Sequence, residues 1–181
     1  LDGSVTGSDG VSKSINNEAD HRVFMALRRQ ADCLVVGAGT VRDEGYQHPT
    51  LPLVLVSRSG EVPPTLRDAP RGSVLMATVA SAPALDETRQ LLGDDLVLVM
   101  GEDEVDFVAL KEALAGRGWT NQLSEGGPQL FGAMAAAGVV DELCLTVVPR
   151  LVGGDHLRAM TGPDLDVGLR LHTLLEDGGT L

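Results

Sequence analysis

The chain has 181 residues, 43% of them hydrophobic, enough to bury one full core but too few for two well-filled domains. Its 14 basic and 26 acidic residues give a formal net charge of −12, with no Lys/Arg run to break the acidity. Such a field repels nucleic-acid backbones and anionic lipid surfaces, so a bound phosphate must be held locally by backbone N–H groups and one or two placed arginines.

In chain order, the spacing of Ala19, Val23, Ala26, Leu27 and Ala31 predicts a helix from Glu18 to Gln30, capped by Asn16 or Asn17. The run Cys33-Leu34-Val35-Val36 predicts a buried strand ending in Gly37-Ala38-Gly39-Thr40 and a short helical turn, and Leu53 to Val56 a second strand ending in Ser57-Arg58-Ser59-Gly60. Strands follow at Val74–Ala77 and Leu96–Val99, separated by a helix opening near Pro83, then a helix at about Asp106–Ala115. A short strand near Gln122-Leu123-Ser124 turns through Glu125-Gly126-Gly127-Pro128 into an apolar helix that ends before Gly138. Leu143–Val148 and Leu169–Leu175 read as further strands. Alternating β-branched runs and helices of this kind predict an α/β domain with a mainly parallel sheet covered by helices on both faces.

Both ends read as clipped. Leu1-Asp2-Gly3 resembles the exit of a strand, and Glu176 to Leu181 a hairpin whose return is barely begun, so residues 1–181 are expected to form one domain lacking part of its first and last strands. Cys33 and Cys144 sit in apolar runs without metal-ligand spacing, and both are expected to be buried thiols in a reducing cytoplasm, with no metal site. No signal peptide or apolar stretch of membrane-spanning length is present, and 3% aromatic content argues against stacking platforms for nucleic acid.

Three turns after predicted strands carry the chemistry, because ligands of open α/β sheets gather there. Gly37-Ala38-Gly39-Thr40-Val41 begins a dinucleotide fingerprint but places Arg42 where a third glycine would stand, and a plain strand-to-helix turn explains an isolated GxG equally well. Ser57-Arg58 pairs a hydroxyl with an arginine, which suits a 2′-phosphate, although a solvated loop would look the same. Ser124 to Phe131 holds a second glycine pair opening a helix; two such helix starts on neighbouring strands can grip one pyrophosphate from both sides. Among acid/base candidates, His21, His48, His156 and His172 form no spaced pair, and Asp2, followed by Gly3, is either a substrate-facing carboxylate or a turn former.

Leu1-Asp2-Gly3, Leu27-Arg28-Arg29-Gln30-Ala31-Asp32, Val35 to Val41, Glu125-Gly126-Gly127-Pro128 and Gly138 to Leu143, taken in order, resemble the C-terminal reductase domain of the bacterial bifunctional riboflavin-biosynthesis deaminase/reductase. The resemblance implies a dihydrofolate-reductase-like three-layer fold with an antiparallel C-terminal hairpin, NADPH as cofactor, and a homodimer. It implies that Gly37, Ala38, Thr40 and Val41 line the pyrophosphate from one side and Gly126, Gly127, Pro128, Gln129 and Leu130 from the other. Ser57 and Arg58 would take the 2′-phosphate, with Ser14 and Glu44 also on the cofactor side. Asp2, Ser12, Arg28 and Glu125 match substrate-contacting positions, Arg28 for the ribose 5′-phosphate and Asp2 as proton relay or anchor. Where the family commonly continues Thr-Val with two acidic residues, a proline and a later arginine, this chain reads Arg42-Asp43-Glu44-Gly45-Tyr46-Gln47-His48-Pro49, so that arginine is lost or displaced.

The reaction so implied is NADPH-dependent reduction of 5-amino-6-(5-phosphoribosylamino)uracil, or its diaminopyrimidinone analogue, to the ribitylamino product. A dihydrofolate or pterin reductase is the neighbouring alternative, and a non-catalytic nucleotide-binding module the alternative of another class.

Overall fold

A computed structural model describes residues 2–47 and 50–181; Leu1, His48 and Pro49 of the expectations above lie outside the described residues. Five strands, β1 (Cys33–Gly37), β2 (Leu53–Val56), β3 (Val74–Thr78), β4 (Val97–Val99) and β5 (Gln122–Gly126), alternate with five helices. These are α1 (Glu18–Gln30), α2 (Ala38–Glu44), α3 (Leu85–Leu92), α4 (Phe107–Gly116) and α5 (Pro128–Ala136). The Asn17 side chain accepts from Asp20 N at the start of α1, and Asp106 does the same for Ala109 N at α4, each cap contributing about 1 kcal/mol.

All strand pairings are parallel, in the order β4-β3-β2-β1-β5. The chain builds outward from β1 through β2 and β3 to β4, and α4 then carries it back past β1 to lay down β5 on the far side. The direction of winding therefore reverses between β1 and β5, and the helices that follow these two strands pack on opposite faces of the sheet, the arrangement at which open α/β sheets leave a ligand crevice.

Both sheet faces are covered. Leu34, Val36, Leu53, Leu55, Val74 and Met76 pack with Val41 and Leu66 on one face, while Cys33, Val35, Val54 and Ala77 pack with Leu110, Leu114 and Leu130 on the other. Continuous apolar runs in β1 to β3 follow from this two-sided burial.

Beyond α5 the expectations need correction. Leu143–Val148 and Leu169–Leu175 form no strand, and the antiparallel hairpin reduces to an isolated Asp177–Thr180 bridge closed through left-handed Gly178 and Gly179. Val147 and Leu181 exchange backbone hydrogen bonds of 2.7 and 3.1 Å without extending them into a ladder. An amphipathic strand needs a neighbouring backbone along its length and a cover for its apolar face; 143–148 meets a distant backbone only at Val147 and leaves Leu143 and Leu145 exposed, and among the described residues no backbone hydrogen bond reaches 169–175. Cys144 is accordingly exposed, whereas Cys33 is buried as expected. Burial, with the Asp32 charge nearby, pushes the Cys33 thiol up to about 11.

Candidate functional site

At the switch point the two glycine turns stand side by side. A Cβ on Gly37 would lie 3.8 Å from Gly126 O, and one on Gly127 would come within 2.8 Å of Thr40 Oγ1. Gly126 and Gly127 have φ of 93° and 96°, a conformation that a side chain would strain, so the backbone requires glycine at both and close approach requires it again at Gly127. α2 and α5 both begin here, and unlike α1 and α4 neither has a side-chain cap. Pro128 at the first position of α5 lacks an N–H, which leaves Gln129 and Leu130 to offer donors to an anion. Gly39 and Gly126 face open space.

The register carries a third piece to the same edge. Gly37 pairs with Val56, so Ser57 and Arg58 come one and two residues beyond the neighbouring strand position. Ser57 is buried, with its hydroxyl 3.1 Å from Ser59 Oγ, and Arg58 is exposed. Glu44 stands half-buried in the last turn of α2.

Beside the glycine pair lies the buried carboxylate of Glu125, expected in the turn after β5 and, from the resemblance, at a substrate-contacting position. Val35 pairs with Ser124 but Val36 with Gly126, so Glu125 is the extra residue of a bulge in β5. Its side chain is 3% exposed and receives Arg28 Nε at 2.5 Å, Arg28 Nη2 at 2.6 Å and the Tyr46 hydroxyl at 2.6 Å. The guanidinium carbon of Arg28 sits 4.5 Å from the centre of the Phe24 ring. The bond to Glu125 raises the Arg28 pKa, and burial followed by the same carboxylate pushes the Tyr46 phenol well above its ordinary value, so Tyr46 is a neutral donor at physiological pH. Tyr46 was absent from the expected site; the Gly45-Tyr46 pair after a short helix signals a helix stop, and only the fold shows where the phenol goes.

The remaining expected residues gather elsewhere. Asp2 accepts from Val152 N at 2.8 Å and Gly153 N at 2.7 Å, and these bonds hold its carboxyl at about 2. A carboxylate so stabilised is a poor proton donor and a good anchor for the 152–153 backbone. Ser14 donates to Asp9 Oδ1 at 2.7 Å, and its carbonyl accepts from Arg150 Nη1 at 2.7 Å; Ser12 opens the same turn. Among the described residues no hydrogen bond joins Asp2, Ser12 or Ser14 to either glycine turn.

The sequence profile of the RibD C-terminal domain family matches residues 1–180. A 2,5-diamino-6-ribosylamino-4(3H)-pyrimidinone 5′-phosphate reductase of Methanothermobacter thermautotrophicus is 29% identical over 170 residues, spanning 88% of this chain and 78% of its own. The RibD protein of Mycobacterium tuberculosis H37Rv is 29% identical over 164 residues, 85% of this chain and 41% of its own. Among solved structures, a pyrimidine reductase-like protein of Corynebacterium diphtheriae superposes with a TM-score of 0.66 at 29% identity, covering 83% of this chain and 71% of that one.

Proposed function

Because the chain belongs to the RibD C-terminal domain family, we propose that it is a reductase of riboflavin biosynthesis that uses NADPH to reduce a ribosylaminopyrimidine 5′-phosphate to its ribitylamino product. The observation that carries this reading is the meeting of two glycine turns at the switch point, with helix α5 opening there uncapped. A dinucleotide diphosphate suits such a cradle, since its charge faces fixed N–H groups and no side chain fills the space. Arg58, exposed beyond β2, is the donor proposed for the 2′-phosphate and hence for NADPH over NADH.

When bound, the reduced nicotinamide supplies the hydride that turns the ribosylamino C1′ into the ribitylamino carbon. The protein contributes position and charge. Two of the five N–H donors of Arg28 are taken by Glu125, and the others remain for a substrate phosphate. Asp2, bound to the 152–153 backbone, acts in this reading as an anchor of the substrate side rather than as the proton relay. Leu165, Val167, Leu169 and Leu171 alternate with Asp166, Gly168 and Arg170 and are 36%, 58%, 77% and 75% exposed, an uncovered apolar strip that fits burial in a homodimer.

The test is NADPH oxidation with the diaminopyrimidinone ribosyl phosphate and with dihydrofolate side by side. Turnover of the first and not the second is expected; dihydrofolate reduction alone overturns the substrate. Arg58→Ala should weaken NADPH by tenfold or more, about the loss of one charge-assisted contact, and leave NADH nearly unchanged. Equal losses for the two would remove Arg58 from the 2′-phosphate.

A further inference from the structure

Tyr46 follows Gly45, the left-handed residue that ends α2, and its N–H closes back on Val41 O at 3.1 Å, the long bond of a Schellman turn. Its ring packs against the core layer that contains Val41. With backbone and ring both fixed, the hydroxyl is delivered to Glu125 Oε2 at 2.6 Å. Glu125 is the bulged residue of β5, one position before Gly126, and Gly127 stands against Thr40 of α2. The contacts therefore close a ring, from the end of α2 through Tyr46 and Glu125 to the glycine pair and back to the first turn of α2.

A bulge leaves one residue without a ladder partner, so its side chain has to be held by something else. Arg28 approaches the carboxylate from α1, and the phenol is the one of the three donors that comes from the turn ending α2, the helix whose first turn meets Gly127. We propose that Tyr46 is a positioning residue of the dinucleotide cleft: through Glu125 it fixes the Gly126-Gly127 turn against the start of α2. The cofactor's identity rests on the reductase reading above; the clasp itself rests on the contacts. A cleft set in advance binds its diphosphate without first ordering a turn, and loss of one hydroxyl would return that cost to binding.

The experiment is titration of the intact protein with NADPH for the wild type, Tyr46→Phe, Glu125→Ala and the double variant, with thermal midpoints and steady-state kinetics alongside. Tyr46→Phe keeps the ring in the core and is expected to weaken NADPH, and raise its KM, by about tenfold, with kcat at saturation within about twofold. Glu125→Ala should weaken binding at least as much, and the double variant no further, because Tyr46 acts through the carboxylate. If Glu125→Ala does not fold, Glu125→Gln replaces it in the cycle. NADPH affinity in Tyr46→Phe within about twofold of wild type, or factors that multiply in the double variant, would overturn the proposal. A lowered midpoint with unchanged affinity overturns it too, since that is the signature of a merely structural bond. Failure of the wild type to bind NADPH at all is a different result, which removes the reductase reading and the cleft along with it.

Discussion

The parallel sheet and the chain beyond α5 are written in similar apolar residues and end in opposite states. Leu53, Leu55 and Met76 are fully buried between two helical layers, while Leu169 and Leu171 are 77% and 75% exposed. In β1 to β3 each strand has neighbours within the same stretch of chain, delivered by short crossovers, so an apolar run suffices to place it. From 165 to 171 the alternation is as regular as any strand requires, yet among the described residues no backbone hydrogen bond joins it to a neighbour. Alternation makes a segment ready for a sheet, and a neighbour decides whether it joins one.

The sharpest way to break this contrast is at the glycine that the crevice cannot spare. Gly127→Val places a side chain at positive φ and against Thr40 Oγ1, and should reduce NADPH affinity by 100-fold or more with the circular dichroism spectrum retained. A comparable substitution at Gly168, where nothing lies within 4 Å, should leave affinity unchanged; equal losses would mean that the crevice is not the cofactor site.

Next in size is stability. Leu55→Ala opens a cavity in a closed layer and should cost about 2–5 kcal/mol in urea unfolding of dilute protein, against about 0.5 kcal/mol or less for Leu171→Ala. If the Leu171 variant proves as costly, the strip is covered in the folded monomer. Thiol labelling sharpens the comparison at single atoms. Exposed Cys144 should react in the native protein, and Cys33, buried and with its thiol at about 11, only after unfolding. Two fast thiols would contradict the packing of β1.

The smallest expected effect lies at the terminal segment. The folded pKa of Asp2 is depressed, so its contribution is complete above the ordinary carboxylate value of 3.8 and is lost as pH falls through about 2. Asp2→Asn should therefore lower the thermal midpoint slightly and evenly above about pH 4, and the two proteins should converge as pH falls through about 2. A gap between the midpoints that persists below about pH 2 would give Asp2 a role beyond the ionised contacts to the 152–153 backbone.

Much of the sheet edge that carries the two glycine turns was legible from local signals. The bounds of α1 follow from its cap and its apolar spacing, and at the exit of β5 the glycines are required, Gly126 and Gly127 by their positive φ and Gly127 also by its approach to Thr40. The order of the strands, which brings those exits together, follows from topology rather than from either turn alone. Glu125 was expected in the turn after β5; the bulge, a property of the β1–β5 pairing, keeps it in the strand and turns its carboxylate toward Arg28 and Tyr46. Tyr46 was illegible because a helix-stop residue carries no mark of the partner that lies 79 positions away. Asp2 was read as a substrate-facing carboxylate or a turn former, and its bonds to Val152 and Gly153, 150 and 151 positions away, carry no local mark in the sequence.

If the two glycine turns seat one diphosphate together, amide chemical-shift mapping during NADPH titration will register both at once. Shifts of Gly37 to Val41 and of Gly126 to Leu130 should saturate along a single binding curve. Shifts confined to one turn, or centred on the cavity beside Arg67 and Arg71 at the other end of the sheet, would contradict the account.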